Sequence, residues 1–213
     1  MDPTDPNQLP SLASLFQQTL NPEQRKPAED QIGQLQAQPR FGFLLLALVQ
    51  SESTSTAIRL ASAIQFKNLC KTRWNVDAET EDPVFSAISD DEKQAIRQQL
   101  VPVLVSLASA STPSQAILSQ MNESVALVAS SDFPEAWPAL IDELVSQLST
   151  DNHHVLLSVL ATSHAIFKQW RSQFRSDALY SEINLVLGKM ANPLLELLQR
   201  MHGMLLDPST PSM

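Results

Sequence analysis

The sequence predicts an all-α fold, and three observations predict it. Apolar residues recur at three- and four-residue spacing along most of the chain, no stretch alternates apolar and polar between hairpin turns, and glycine occurs only 4 times in 213 residues. Average usage would supply about 15 glycines, so folds that need many tight turns are disfavoured, as are glycine-rich phosphate loops. About nine or ten helices and no sheet are expected.

The elements follow in order. Leu9, Leu12, Leu15, Phe16 and Leu20 form one apolar stripe that stops at Asn21 and Pro22. A second helix runs from Lys26 to Gln36, with Pro27 tolerated in a first turn that has no use for its missing N–H, and Ala28, Ile32 and Leu35 facing inward. Phe41 to Gln50 is a compact apolar helix, and Thr54 to Trp74 a longer one, apolar nearly all round, which calls for neighbours on several sides. After an acidic loop, Ser89 and Glu92 make a capping box for a helix to Leu107, with Pro102 as a kink. Thr112, Pro113 and Gln115 open a helix to Ala129, and Asp132, Pro134 and Glu135 open another through Leu148. Asp151 caps the next, which places Leu156, Leu160, Phe167, Trp170 and Phe174 on one side. The last helix spans Ser176 to Met201 with a kink at Pro193, and Met204 onward reads as a frayed tail.

Pairs of helices begin near residues 9, 41, 89, 134 and 176. A recurrence of roughly 30 to 50 residues is the range of two-helix HEAT or armadillo repeats, in which each pair buries its apolar face on the next. The last pair is incomplete, so the chain reads as the N-terminal piece of something longer. Residues 1–203 are expected to form one repeat domain and 204–213 a disordered tail at a truncation point.

Charge restricts the partners. The net charge is −9, and no lysine or arginine falls between Arg97 and Lys168, whereas Glu123, Asp132, Glu135, Asp142, Glu143 and Asp151 do. Asp77, Glu79, Glu81, Asp82, Asp90, Asp91 and Glu92 form a second acidic cluster. A basic protein is therefore a more natural partner than a nucleic acid, although acidic loops also serve plain solubility. No apolar run approaches the roughly 20 residues of a membrane span, and no secretory signal opens the chain, so neither membrane insertion nor export from the cell is expected. The single cysteine, Cys70, cannot form an intrachain disulfide, which fits a reducing compartment.

Chemistry-bearing motifs are sparse. His153, His154, His164 and His202 lack neighbouring carboxylates or thiols at a ligand spacing, and no nucleophile elbow or paired-carboxylate motif occurs. Cys70 lies among apolar residues near Lys67, Lys71 and Arg73, and reads as a buried structural thiol. No enzyme activity, cofactor or metal site is expected. A stack of paired helices instead offers one row of helices to a partner. On that row, Arg25 and Glu29 are spaced for a local ion pair, and Lys67, Asn68 and Lys71 cluster on a second helix.

At these residues the chain resembles the importin-β superfamily of nuclear transport receptors. Arg25, Lys26, Pro27, Ala28 and Glu29 match the first-repeat signature, and Phe66, Lys67, Asn68, Lys71 and Trp74 the second. Asp132, Phe133, Pro134, Trp137, Pro138 and Leu140 resemble the opening of the fourth. His164, Phe167, Lys168, Arg171, Phe174, Ser176, Leu179, Glu182 and Ile183 resemble the CAS-type exportin branch. The similarity runs from about residue 9 to about residue 198.

The resemblance implies a right-handed superhelical solenoid of HEAT repeats, about four to five antiparallel pairs. It implies binding of the GTP-bound small GTPase Ran, importin-α as cargo, contact with nuclear pore proteins, and shuttling between nucleus and cytoplasm. Arg25, Glu29, Lys67 and Asn68, with Lys71 beside them, become the residues facing the GTPase. Trp74, Asp132, Phe133, Pro134 and Trp137 become structural, the aromatics packing between repeats. The competing expectation is a HEAT scaffold for a phosphatase or kinase complex, without a GTPase.

Overall fold

The computed structural model describes residues 7–76 and 87–206, with the side chains of residues 205 and 206 excepted. Asp77, Glu79, Glu81 and Asp82 of the acidic loop, and residues 207–213 of the expected tail, lie outside the described residues. Among the described residues the regular structure is entirely helical: α1 (Gln8–Thr19), α2 (Arg25–Gln36), α3 (Phe41–Gln50), α4 (Thr56–Arg73), α5 (Asp90–Ala108), α6 (Gln115–Asp132), α7 (Leu140–Ser146), α8 (His153–Gln169) and α9 (Asp177–Leu206). A single 3-10 turn, Trp170–Ser172, follows α8.

The helices stack in two rows. In the first, α1 packs on α3, α3 on α5, α5 on α7 and α7 on α9; in the second, α4 packs on α6 and α6 on α8, with α2 against α1. Phe41, Leu44, Leu45, Phe66, Ile96, Leu104, Met121, Val125, Leu140 and Val159 carry one continuous core through the stack, each at most 1% exposed. Gly42 lets α3 and α5 approach closely, because a Cβ there would sit 3.2 Å from Ile96 Cδ1.

Local chemistry fixes the ends. Ser55 Oγ accepts from the Ile58 N–H (3.5 Å) at the start of α4, and Ser89 Oγ from the Glu92 N–H (3.3 Å) at the start of α5. The Glu92 carboxylate crosses to the Arg40 N–H (3.0 Å). Arg40 holds a left-handed backbone (φ 65°) at the bend into α3, so Glu92 pins the turn that joins two helix pairs. At the other end of the stack Arg200 donates to the carbonyls of Leu148, Ser149 and Thr150 (2.9, 2.9 and 3.1 Å), and Lys189 pairs with Asp142 at 2.7 Å, strapping α9 to α7.

Several boundaries differ from expectation. The start of α6 lies at Ser114 rather than Thr112, and Asn152 rather than Asp151 caps α8, its Oδ1 accepting from the His154 and Val155 N–H groups (3.0 and 3.3 Å). The helix expected from Asp132 onward begins only at Leu140. Asp132 instead ends α6, and its carbonyl accepts from the Ala136 and Trp137 N–H groups (2.7 and 2.8 Å) across a turn. Phe174 does not share the buried side of α8: that helix stops at Gln169 and the ring is 89% exposed. The last helix runs from Asp177 to Leu206, past the Met201 expected as its end.

Two buried polar groups tie neighbouring helices. The Asp132 carboxylate accepts from Trp74 Nε1 (3.0 Å) at the end of α4 and from Ser131 Oγ (2.8 Å), and forms a short ion pair with Arg97 of α5. Asn122 Oδ1 on α6 accepts from Thr162 Oγ1 (2.9 Å) and Ser158 Oγ (3.3 Å) on α8.

Glu143 on α7 is less well served. Burial pushes its carboxyl above the ordinary carboxylate value, a hydrogen bond with Trp137 opposes this, and its Oε2 is buried without a partner. A raised value in the folded state means that ionisation costs stability, a cost present at neutral pH and removed as pH falls through the folded value. Glu143→Gln keeps an acceptor for Trp137 and is expected to raise the melting temperature at pH 7, the advantage vanishing below about pH 4 where both chains are neutral at this position. Melting curves at the two pH values check this; equal shifts at both would contradict it.

Candidate functional site: the exposed faces of α2 and α4

In α4 the core takes Ile58, Ser62, Ala63, Phe66, Leu69 and Cys70, which leaves Ile64, Asn68 and Lys71 at i, i+4 and i+7 on one exposed face. Ile64 is 39% exposed, so the polar pair stands beside an apolar spot. Lys67 lies at the edge of this face and reaches Glu123 Oε2 on α6 at 3.0 Å. That pair is worth only about 0.2–1 kcal/mol at the surface, but it holds the Lys67 side chain across the α4–α6 seam. Asn68 and Lys71 are exposed, and Lys71 has no ion pair among the described residues.

Across a groove of about 390 Å³, α2 faces this surface. Glu29, Ile32 and Gln36 line one wall and Ala61, Ile64 and Gln65 the other, with Phe16 and Thr19 of α1 at the floor. The structure therefore brings Glu29 opposite the α4 face. Arg25 is exposed but turned back on α1, its Nε donating to the Thr19 carbonyl at 3.0 Å, where it caps the end of that helix. It does not pair with Glu29; the ion pair at the start of α2 is Lys26–Asp30 (2.8 Å), fully in solvent.

The groove, Ile64 and Glu123 were missed by sequence reasoning. The spacing of Ile64, Asn68 and Lys71 is a signal for the first face, but the approach of α2 is tertiary and has no local signature. The residues expected to be structural lie behind the surface: Trp74, Phe133 and Trp137 are at most 5% exposed, Asp132 is buried, and Pro134 follows Phe133 through a cis peptide bond. Burial pushes the Cys70 thiol far above its ordinary value, so the nearby lysines do not activate it. Among the described residues no group of histidine, cysteine or acidic side chains is placed to hold a metal, and no helix is long and apolar enough to cross a membrane.

Paired helices stacked in two rows, one row presenting a mixed polar and apolar face beside a groove, define a helical-repeat protein with a surface that can receive a partner. Residues 28–106 match the sequence model of the importin-β N-terminal domain, and residues 166–210 match that of Cse1. Exportin-2 of Drosophila melanogaster is 35% identical over 93% of this chain and 20% of its own length. The importin alpha re-exporter of Saccharomyces cerevisiae is 36% identical over 90% of this chain and 19% of its own length. The solved structure of the exportin Cse1 in its cargo-free, cytoplasmic state superposes with a TM-score of 0.77 at 34% identity, covering 90% of this chain and 20% of that one. Over most of its length the chain is similar to Cse1-type exportins of the importin-β superfamily, and its fold is the HEAT-repeat solenoid. It spans about a fifth of the length of the curated relatives it matches. The importin-β match takes in Glu29, Lys67, Asn68, Lys71 and Trp74, and begins just after Arg25.

Proposed function

We propose that this chain is the part of a nuclear export receptor that grips the GTP-bound form of Ran and contributes to carrying importin-α from nucleus to cytoplasm. The observation that carries the reading is the α4 face: Asn68, Lys71 and Ile64 exposed together, beside the Glu29 groove, inside a segment that matches the importin-β N-terminal domain. Lys67, Asn68 and Lys71 supply donors to carboxylate and carbonyl groups of the GTPase, Ile64 and the groove take an apolar side chain, and Glu29 answers a cation. Arg25 acts from the rim, since it is occupied in holding α1 to α2.

Two relatives are named importin alpha re-exporter, which supports importin-α as the cargo of the longer receptor. Pore proteins and traffic between nucleus and cytoplasm belong to the same proposal. With only part of the receptor's surface, this chain is expected to discriminate GTP- from GDP-loaded Ran while binding it more weakly than a full-length relative.

The test is capture of Ran loaded with a non-hydrolysable GTP analogue or with GDP. Lys67→Ala combined with Asn68→Ala is expected to weaken capture of the GTP form at least about tenfold, with helicity and melting temperature little changed because Asn68 is exposed and the Lys67–Glu123 pair contributes little to stability. Equal capture of the two nucleotide forms would overturn the transport reading and favour the GTPase-free scaffold.

A further inference from the structure

A second surface lies at the far end of α8. After a stretch from 98 to 167 without a single lysine or arginine, Lys168, Arg171 and Arg175 arrive within eight residues. All three are exposed, and none makes an ion pair among the described residues. In a protein of net charge −9, with acidic residues to spare for pairing, three unpaired cations in one short segment are available to an outside anion.

Aromatic surface accompanies the charge. Phe167 and Trp170 stack with ring centroids 4.8 Å apart, and the Phe174 ring is 89% exposed. That ring is apolar surface left in water, and phenylalanine and arginine are enriched where protein interfaces form. Beside the loop runs a cleft of about 400 Å³ between the α6–α7 turn and the start of α9, with Phe133, Pro134, Leu179 and Leu185 on its walls and Gln173 and Ser176 at the rim next to Phe174. The acidic groups nearby are Glu182, which accepts from Trp170 Nε1 at 2.8 Å, Glu135 on the cleft wall, and Asp177 in the first turn of α9. Glu135 and Glu182 both line the cleft, so a partner's carboxylates are directed to the basic loop and only its apolar side chain to the cleft mouth.

We infer that this surface docks an extended acidic segment of a partner protein that carries an aromatic or leucine side chain. Its carboxylates engage Lys168, Arg171 and Arg175, and its apolar side chain packs on Phe174 at the mouth of the cleft. A nucleic acid is the poorer fit, because three cations against a net charge of −9 cannot sustain a phosphate backbone and the cleft offers it no complementary charge. The inference is independent of the Ran reading, since none of these residues lies on α2 or α4.

The experiment is fluorescence anisotropy with a short fluorescein-labelled peptide of glutamates flanking one phenylalanine, against the same peptide with glutamines and against a single-stranded DNA oligonucleotide of equal length. The glutamate peptide is expected to bind, to weaken as salt is raised, and to lose about tenfold or more in affinity against Arg171→Glu/Arg175→Glu and against Phe174→Ser. Both variants alter exposed residues outside the long helices, and circular dichroism checks that they fold. Equal binding of the glutamate and glutamine peptides, no loss in the variants, or tighter binding of the oligonucleotide would each overturn the inference. Capture of GTP-loaded Ran by the Arg171→Glu/Arg175→Glu variant is expected to match the unaltered chain, so failure of one proposal is distinguishable from failure of the other.

Discussion

Replacing Asp132 with alanine is expected to cost about 3–5 kcal/mol of unfolding free energy, because the change strands a buried cation and a buried N–H together. The carboxylate sits at the end of α6 with its side chain 9% exposed, and its partner Arg97 on α5 is 14% exposed. Trp74 Nε1 from the end of α4 donates to the same group at 3.0 Å. Removing it leaves a largely buried guanidinium without its ion-pair partner, and frees the ends of α4 and α6 from the body of α5. Asp132→Asn keeps the volume and an acceptor but drops the charge, so it should fall between the two. Chemical unfolding followed by circular dichroism measures all three; a loss below about 1 kcal/mol for alanine would show that Arg97 finds another partner.

Trp74→Ala is expected to be nearly as damaging, about 3–5 kcal/mol, for a different reason. The ring is 2% exposed and fills the space where α4 ends against the start of α5, with Lys93 Nζ 6.0 Å from its centroid. Alanine leaves a cavity there as well as removing the N–H donor. Trp74→Phe separates the terms: it retains most of the packing and loses the hydrogen bond, and should cost about 1–3 kcal/mol. The double change with Asp132→Ala should cost less than the sum of the two, because each destroys the same bond. Strict additivity in the cycle would show that the bond contributes nothing.

Most of this architecture is legible in one dimension, and the exceptions are the places where a distant helix decides. Ser89 announced the start of α5 because a capping serine acts on an N–H three residues away, a local event. Glu92 has the spacing of a reciprocal box, yet its carboxylate serves Arg40, distant in sequence and brought near only by the packing of α3 on α5. Asp132 followed by Pro134 and Glu135 has the form of a helix start. It is a helix end, because Val125, Val128 and Ala129 extend the buried stripe of α6 as far as Asp132, and Trp74 and Arg97 wait there to meet the carboxylate. The period of α8, extended past its end at Gln169, carries Phe174 onto the buried side, but the helix stops first and the ring stays in solvent.

The candidate site divides in the same way. Lys67, Asn68 and Lys71 share a surface that helical spacing alone reveals, although Lys67 is partly engaged with Glu123 from a neighbouring pair. Arg25 and Glu29, equally close in spacing, part company: one is spent on the Thr19 carbonyl, the other turned to the groove. Which way each long side chain goes is decided by the neighbouring helix, and that information is not local.

The buried amide of Asn122 acts as a vernier between α6 and α8. Apolar ridges would tolerate a slip of one helical turn, about 5.4 Å, with little loss. The amide would not: its oxygen meets both hydroxyls, Ser158 and Thr162, at a single setting, and a slipped helix would put Ile166 or His154 where one of them belongs. Small errors in spacing compound along a spiral built from repeated units, so a pin of this kind, weak by itself, governs how far apart the two ends of a much longer coil would fall.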